Sequence, residues 1–276
     1  MPNALSPARI EAFRADGFIA GLPVFSASEL EPLNSGLRQT LALLEPGETT
    51  KEIREWHEAS RFLFDICVNE HILDYVEGLI GADFFMWASN FFIKEPRTTE
   101  SVTWHQDAYY WPLEPRASVT AWLAFDDVDV ENGAMNVIPG SHRQGLFEHR
   151  RLAGAGSSVL DLECDTSAFD LSTVRHVCLA AGEISIHSDQ LIHGSPANPS
   201  PRRRAGLTIR YSPTEVKCDL SVNPHFKAYL ARGTDRYRHN PQGTVPTAMF
   251  GRLFREHRSV EEAGADAEDK FWGTRK

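Results

Sequence analysis

From Phe84 onward the chain breaks into short runs rich in β-branched and aromatic residues, separated by turn residues: FFMWASNFFIKEP, SVTWHQD, ASVTAWLAFDDV, GAMNVIPGS, HVCLAAGEISIHS, QLIHGS and RAGLTIRYSP. Runs this short cannot bury their own apolar sides, so a series of them must pack as a jelly roll or close into a barrel. The preceding third has a different period. In SASELEPLNSGLRQTLALLE, Ser26 and Glu29 have capping-box spacing and Leu37, Leu41 and Leu44 recur at helical intervals. SRFLFDICVNEHILDYVEGLIG continues the helical pattern and stops near Gly81. The expectation is one mainly β domain: a helical flank over 1–83, a jelly-roll core over 84–213, and a tail with a helix over 214–276.

Within that plan two segments have no clear period. Gln144 to Arg175 is a long insertion of many small residues, the kind of segment that serves as a lid. The tail beyond Tyr211 ends in HRSVEEAGADAEDK, which reads as solvated surface. A net charge of −10 opposes binding to phosphate backbones and anionic membranes, so nucleic acid and membrane partners are not expected. No apolar run reaches membrane-spanning length, and MPNALSPARIEAF lacks the basic-then-apolar order of a signal peptide. A cytoplasmic protein follows, and Cys67, Cys164, Cys178 and Cys218, too scattered for a zinc knuckle, read as free thiols.

WHQDAYYW carries the first candidate chemistry. On a strand His105 and Asp107 share a face, so both can grip one ion. A second His-x-Asp, His187 to Asp189, shows that the spacing alone decides nothing. His193 in LIHGS supplies a possible third ligand, and two histidines with one carboxylate form the facial triad of non-haem iron oxygenases. On the residues alone a metal site and a plain hydrogen-bonded His–Asp pair stay equally open.

RRRAGLTIRY adds a second constraint. Alternation puts Arg204, Gly206, Thr208 and Arg210 on one face and Ala205, Leu207, Ile209 and Tyr211 on the other. If the apolar face meets the helices, two guanidinium groups look into the barrel, where each needs an anion. A dicarboxylate would supply one through paired hydrogen bonds, and nearby Asp or Glu side chains are the plainer alternative. Arg202 and Arg203, in a loop, read as solvated. Thr120 and Trp122 share a face, as do Asn90, Phe92 and Lys94.

Taken together, WHQDAYYW, TAWLAFDDVDVENGAMNVIPGSHR and GEISIHSDQLIHGSPANPSPRRRAGLTIRY resemble the phytanoyl-CoA dioxygenase family of Fe(II)- and 2-oxoglutarate-dependent oxygenases. The resemblance spans about Phe84 to Pro213. It implies a cupin-like double-stranded β-helix that uses Fe(II), 2-oxoglutarate and O2 to hydroxylate an unactivated C–H bond of a small-molecule metabolite. By matching motif, His105, Asp107 and His193 become the catalytic metal ligands. Arg204 would pair with the distal carboxylate of 2-oxoglutarate, Ser195 would hydrogen-bond it, and Trp122 and Asn90 would line it; His187 matches no ligand position. A halogenating branch replaces the carboxylate ligand by a small residue. Asp107 speaks against that branch, although Thr120, Arg210, Tyr211 and Pro213 also look like it. A zinc hydrolase and a catalytically silent barrel remain as alternatives, and neither substrate nor oligomeric state is specified.

Overall fold

The computed structural model describes residues 4–152 and 158–254. Helix α1 (Pro7–Asp16) leads into strand β1 (Phe18–Pro23), and α2 (Ala27–Leu41) follows the Ser26–Glu29 capping box, which is formed. The next apolar stretch is two helices rather than one, α3 (Arg61–Cys67) and α4 (Glu70–Ile80). The break is at Asn69, whose side chain accepts from the His71 N–H and caps the second helix. After Gly81, at φ 90°, the chain turns into strands.

These are β2 (Phe84–Lys94), β3 (Val102–His105), β4 (Leu113–Glu114), β5 (Val119–Ala124), β6 (Met135–Val137), β7 (His149–Arg151) and β8 (Leu162–Cys164). They continue as β9 (Arg175–Val177), β10 (Glu183–Ser188), β11 (His193–Ser195), β12 (Arg204–Pro213), β13 (Lys217–Cys218) and β14 (Tyr229–Arg232), with a one-turn helix α5 (Asp107–Tyr110) after β3. A six-stranded antiparallel sheet has the order β1-β10-β5-β12-β2-β14 and faces a four-stranded sheet, β3-β11-β6-β9. This is the expected mainly β, cupin-like architecture of two antiparallel sheets with helices outside.

Alternation decides which side of the large sheet meets the helices. Ala121, Leu123, Ile184, Ile186, Ala205, Leu207, Ile209 and Tyr211 form one apolar cluster with Leu37 of α2, Leu63 and Phe64 of α3, and Ile72 and Val76 of α4. Tyr211 Oη donates to Cys67 O at 2.7 Å, fastening β12 to the end of α3. Each fully buried aliphatic or aromatic side chain contributes roughly 1.5–3 kcal/mol. The opposite side of the sheet faces the smaller one across a second cluster that includes Trp122, Met135 and Val137.

Three details differ from the sequence expectation. The flank 1–83 is not wholly helical, because β1 pairs with β10 and forms an edge of the large sheet. Residues 214–254 hold β13 and β14 and no helix among the described residues, and β14 extends the same sheet beyond β2. The HRSVEEAGADAEDK segment lies outside the described residues. The insertion from Gln144 to Arg175 contains the small hairpin β7–β8, with residues 153–157 outside the described residues. No helix among the described residues is long and apolar enough to cross a membrane. Cys67, Cys164, Cys178 and Cys218 are free thiols, the first, second and fourth buried.

Candidate active site

Between the two sheets lies a pocket lined by both of them. The large sheet contributes Phe92, Thr120, Trp122, His187, Arg204, Thr208 and Arg210, and the small sheet contributes Val102, His105, Met135, His193, Gly194 and Ser195. Asp107 completes the lining. Antiparallel pairing puts His193 of β11 directly opposite His105 of β3. The approach is close at Gly194, where a Cβ would lie 2.8 Å from Val102 O.

Asp107 reaches the pocket by a route alternation did not foresee. β3 ends at His105, and Asp107 is the first residue of α5. The residue between them, Gln106, keeps extended backbone at φ −119°, ψ 126°, so the carboxylate still returns to the side of His105. His105, Asp107 and His193 offer ligand atoms all within 4.8 Å of one another. His105 Nε2 stands 3.8 Å from Asp107 Oδ1, too far for a hydrogen bond, so a simple His–Asp pair does not account for the arrangement.

What the imidazoles do bond to settles their tautomers. His105 Nδ1 is 2.8 Å from Thr103 O and His193 Nδ1 is 2.9 Å from Leu191 O. A carbonyl only accepts, so each Nδ1 carries the proton and each Nε2 keeps a lone pair for the pocket. Burial lowers the His105 pKa, and burial, then neighbouring His105, lowers that of His193 further, so both rings are neutral donors. Burial pushes the Asp107 carboxyl upward, but the contact with His187 and the charge of Arg210 outweigh it and hold the group well below the usual carboxylate range. Thr120 Oγ1 donates to Asp107 Oδ2 at 2.9 Å, leaving Oδ1 toward His105.

At one side of this trio sits Arg204, 2% exposed. One of its terminal nitrogens donates to Gly133 O at 2.9 Å, its Nε has no partner, and among the described residues it has no ion pair. Burial draws its pKa down to about 10. The guanidinium lies 5.2 Å from the centroid of the Trp122 ring, which occupies the space a side chain at Gly206 would fill, 1.9 Å from an added Cβ. Arg210 is also unpaired among the described residues and stacks on Trp111 at 4.8 Å and Trp87 at 5.6 Å. No ion pair, the plainer expectation, is formed by either arginine among the described residues, but Asp107 and Glu55 lie near enough to act on Arg210 electrostatically, whereas burial alone acts on Arg204.

The other candidate residues divide. Ser195 and Trp122 line the pocket, whereas Asn90, opposite Thr208 on β2, does not line it and has a buried Oδ1 without a partner. Lys94 lies behind the pocket, donating to Ser195 O at 3.3 Å and to Pro196 O, and burial, then Arg204, draws its pKa down to about 7. Arg202 and Arg203 are not simply solvated: Arg202 pairs with Asp129 and Glu131, and Arg203 with Asp126. In the second His-x-Asp pair, Asp189 instead accepts from the Ser118 N–H at 3.0 Å. Its pKa is pushed up to about 7 by burial.

Sequence reasoning undervalued His187. It is 1% exposed, lines the pocket, and places Nε2 3.5 Å from Asp107 Oδ2. Alternation in GEISIHS carried the signal, since Ile184 and Ile186 belong to the helix side and Ser185 and His187 to the other. Gln106, which spacing arguments treat as a spacer, is 0% exposed.

Residues 13–206 match the family model described as phytanoyl-CoA dioxygenase (PhyH). A probable alpha-ketoglutarate-dependent hypophosphite dioxygenase of Stutzerimonas stutzeri is 28% identical over 175 residues, 62% of this chain and 60% of that protein. The peroxisomal phytanoyl-CoA dioxygenase of Bos taurus is 26% identical over 220 residues, 76% of this chain and 63% of the relative. The match therefore spans less than two thirds of either relative. Among solved structures, apo ThoJ, a non-heme monooxygenase, superposes with a TM-score of 0.70 at 28% identity, covering 87% of this chain and 88% of that one. CytC3 with Fe(II) and alpha-ketoglutarate gives a TM-score of 0.69 at 22% identity over 92% and 98% of the two chains, a likeness of fold.

Proposed function

Because the chain belongs to the phytanoyl-CoA dioxygenase family, we propose that the pocket between its sheets is the active site of an Fe(II)- and 2-oxoglutarate-dependent dioxygenase. The reaction is hydroxylation of an unactivated C–H bond in a small-molecule metabolite, with O2 consumed and succinate and CO2 released. One observation carries this reading: two neutral imidazoles and one carboxylate converge beside a buried, unpaired arginine. The donor set fits Fe(II), which takes two histidines and a carboxylate on one face. Arg204 fits a carboxylate, because a guanidinium buried beyond the reach of any acidic side chain among the described residues needs an anion from elsewhere.

Bound iron and 2-oxoglutarate supply the oxygen activation and the oxidative decarboxylation. His105, Asp107 and His193 hold the metal, the two histidines through Nε2 because each Nδ1 is already committed to a backbone carbonyl. Thr120 occupies Oδ2 of Asp107, so Oδ1 would be the oxygen left for a metal. Arg204 takes the distal carboxylate of 2-oxoglutarate, with Ser195 hydrogen-bonding it and Trp122 forming a wall beside it. The two sheets exclude water from the reacting atoms. Asp107 stands where a halogenase keeps a small residue, which favours hydroxylation, and a zinc hydrolase would leave Arg204 without a task.

The test is to add Fe(II) and 2-oxoglutarate anaerobically to the purified protein, admit air, and assay succinate. Succinate that requires iron supports the reading. Absence of turnover with iron, together with zinc-dependent hydrolysis, would replace it, and a panel of metabolites in the same assay finds the primary substrate.

A further inference from the structure

The residue between the two ligands of the His-x-Asp turn has a side chain with no route to the pocket and yet no solvent either. Gln106 is 0% exposed, and its amide is fully engaged. Nε2 donates to Gly145 O at 2.8 Å and to Gln190 O at 2.7 Å, and Oε1 accepts from the Phe147 N–H at 2.8 Å. Its own backbone N–H donates to His149 Nε2 at 3.0 Å, and His149 Nδ1 is held by Phe147 O at 3.0 Å. The His149 ring stacks on Tyr109 of α5 with centroids 3.9 Å apart. One glutamine thus bonds three separate pieces of chain: the turn carrying His105 and Asp107, the start of the insertion at 145–149, and the loop at Gln190, three residues before His193.

The chemistry of the amide explains why the residue is glutamine. Two of its neighbours are carbonyls and one is an N–H, so the side chain must donate twice and accept once. Glutamate would oppose both carbonyls, and an apolar side chain would leave two carbonyls and an N–H buried without partners, each costly. We propose that Gln106 is a positioning residue that joins the ligand turn, the His193 loop and segment 145–149 into one cooperative unit, so that metal binding and the ordering of that segment reinforce each other. Coupling of this kind is reciprocal: whatever the ordered segment adds to metal affinity, the bound metal adds to the segment's order. This rests on the metal reading of the centre formed by His105, Asp107 and His193.

The experiment follows backbone hydrogen exchange in the full chain with and without Mn(II), alongside an Mn(II) binding isotherm. In the parent, Mn(II) should slow exchange in peptides covering 145–149, although no residue there is among the three proposed ligands. In Gln106→Met, Mn(II) should bind about 5- to 150-fold more weakly, the usual size of a coupling between two sites, and should no longer slow exchange at 145–149. A merely structural glutamine would lower stability without removing that metal-dependent protection. Unchanged exchange at 145–149 in a parent that does bind Mn(II) overturns the proposal, and this arm needs no variant to fold. Parental Mn(II) affinity in Gln106→Met overturns it as well. A parent that binds no Mn(II) overturns instead the metal reading beneath it.

Discussion

The two faces of β12 differ in what they leave unsatisfied. Toward the helices, Ala205, Leu207, Ile209 and Tyr211 are at most 1% exposed, and the hydroxyl of Tyr211 has found Cys67 O. Toward the other sheet, Arg204 is 2% exposed and nearly as buried, yet its guanidinium has a single carbonyl as hydrogen-bond partner, and that of Arg210 stacks on two indole rings without an ion pair among the described residues. Residues one position apart on one strand therefore follow opposite rules. The first face is complete without any ligand. The second is arranged around something the polypeptide does not itself provide, which is how local departures from ideal packing mark a working site.

The comparison can be pressed hardest at Asp107. Asp107→Ala should abolish iron binding and succinate release while circular dichroism shows the sheets intact; turnover at the parent rate would remove Asp107 from the proposed ligands. Next comes Arg204. Removing one partner of a buried ion pair costs about 3–5 kcal/mol, so Arg204→Ala should raise the 2-oxoglutarate concentration for half-maximal succinate release by roughly two to three orders of magnitude. Lys at that position should recover only part, since an ammonium lacks the planar two-bond fork. Arg210→Ala should move the same midpoint less, and the reverse order would exchange the two roles.

Crossing to the other face should exchange the readouts. Leu207→Ala should cost about 2–5 kcal/mol in chemical denaturation, as truncation of a buried leucine does, and should leave the 2-oxoglutarate midpoint where it was. A shift in that midpoint would mean the two faces are not independent. The smallest effect belongs to Arg202, an arginine already paired with Asp129 and Glu131 on the surface. Arg202→Ala should leave both the unfolding midpoint and co-substrate binding close to the parent, because exposed ion pairs contribute little.

Much of this was legible in the chain because a strand side chain has only two directions to point. Alternation alone separated Arg204 and Arg210 from Leu207 and Ile209, and Trp122 and Thr120 from Leu123. It was silent where an interaction depends on partners far along the chain. Asp126 and Asp129 meet Arg203 and Arg202 across more than 70 residues, so loop arginines that looked solvated are paired. Gln106 carries no periodic signal, since its neighbours Gly145, Phe147 and Gln190 belong to two different loops. FIAGLP at 18–23 gives too little alternation to reveal β1, whose place depends on pairing with β10. His187 carries an alternation signal in GEISIHS, although it matches no ligand position of the family.

The cross-strand register of His193 against His105 has a consequence in time as well as in space. His105 and Asp107 are near neighbours, but His193 follows Asp107 by 86 residues, and it reaches them only once β11 lies between β3 and β6. Contacts between such distant positions form slowly, because the long intervening loop must first be closed. On the proposed reading, a chain partway through folding offers a metal two donors and withholds the third. Tight capture then waits for the closed sheet, so the ion rewards only the finished molecule and raises its unfolding free energy by RT ln(1 + [metal]/Kd), an increment that a chelator removes.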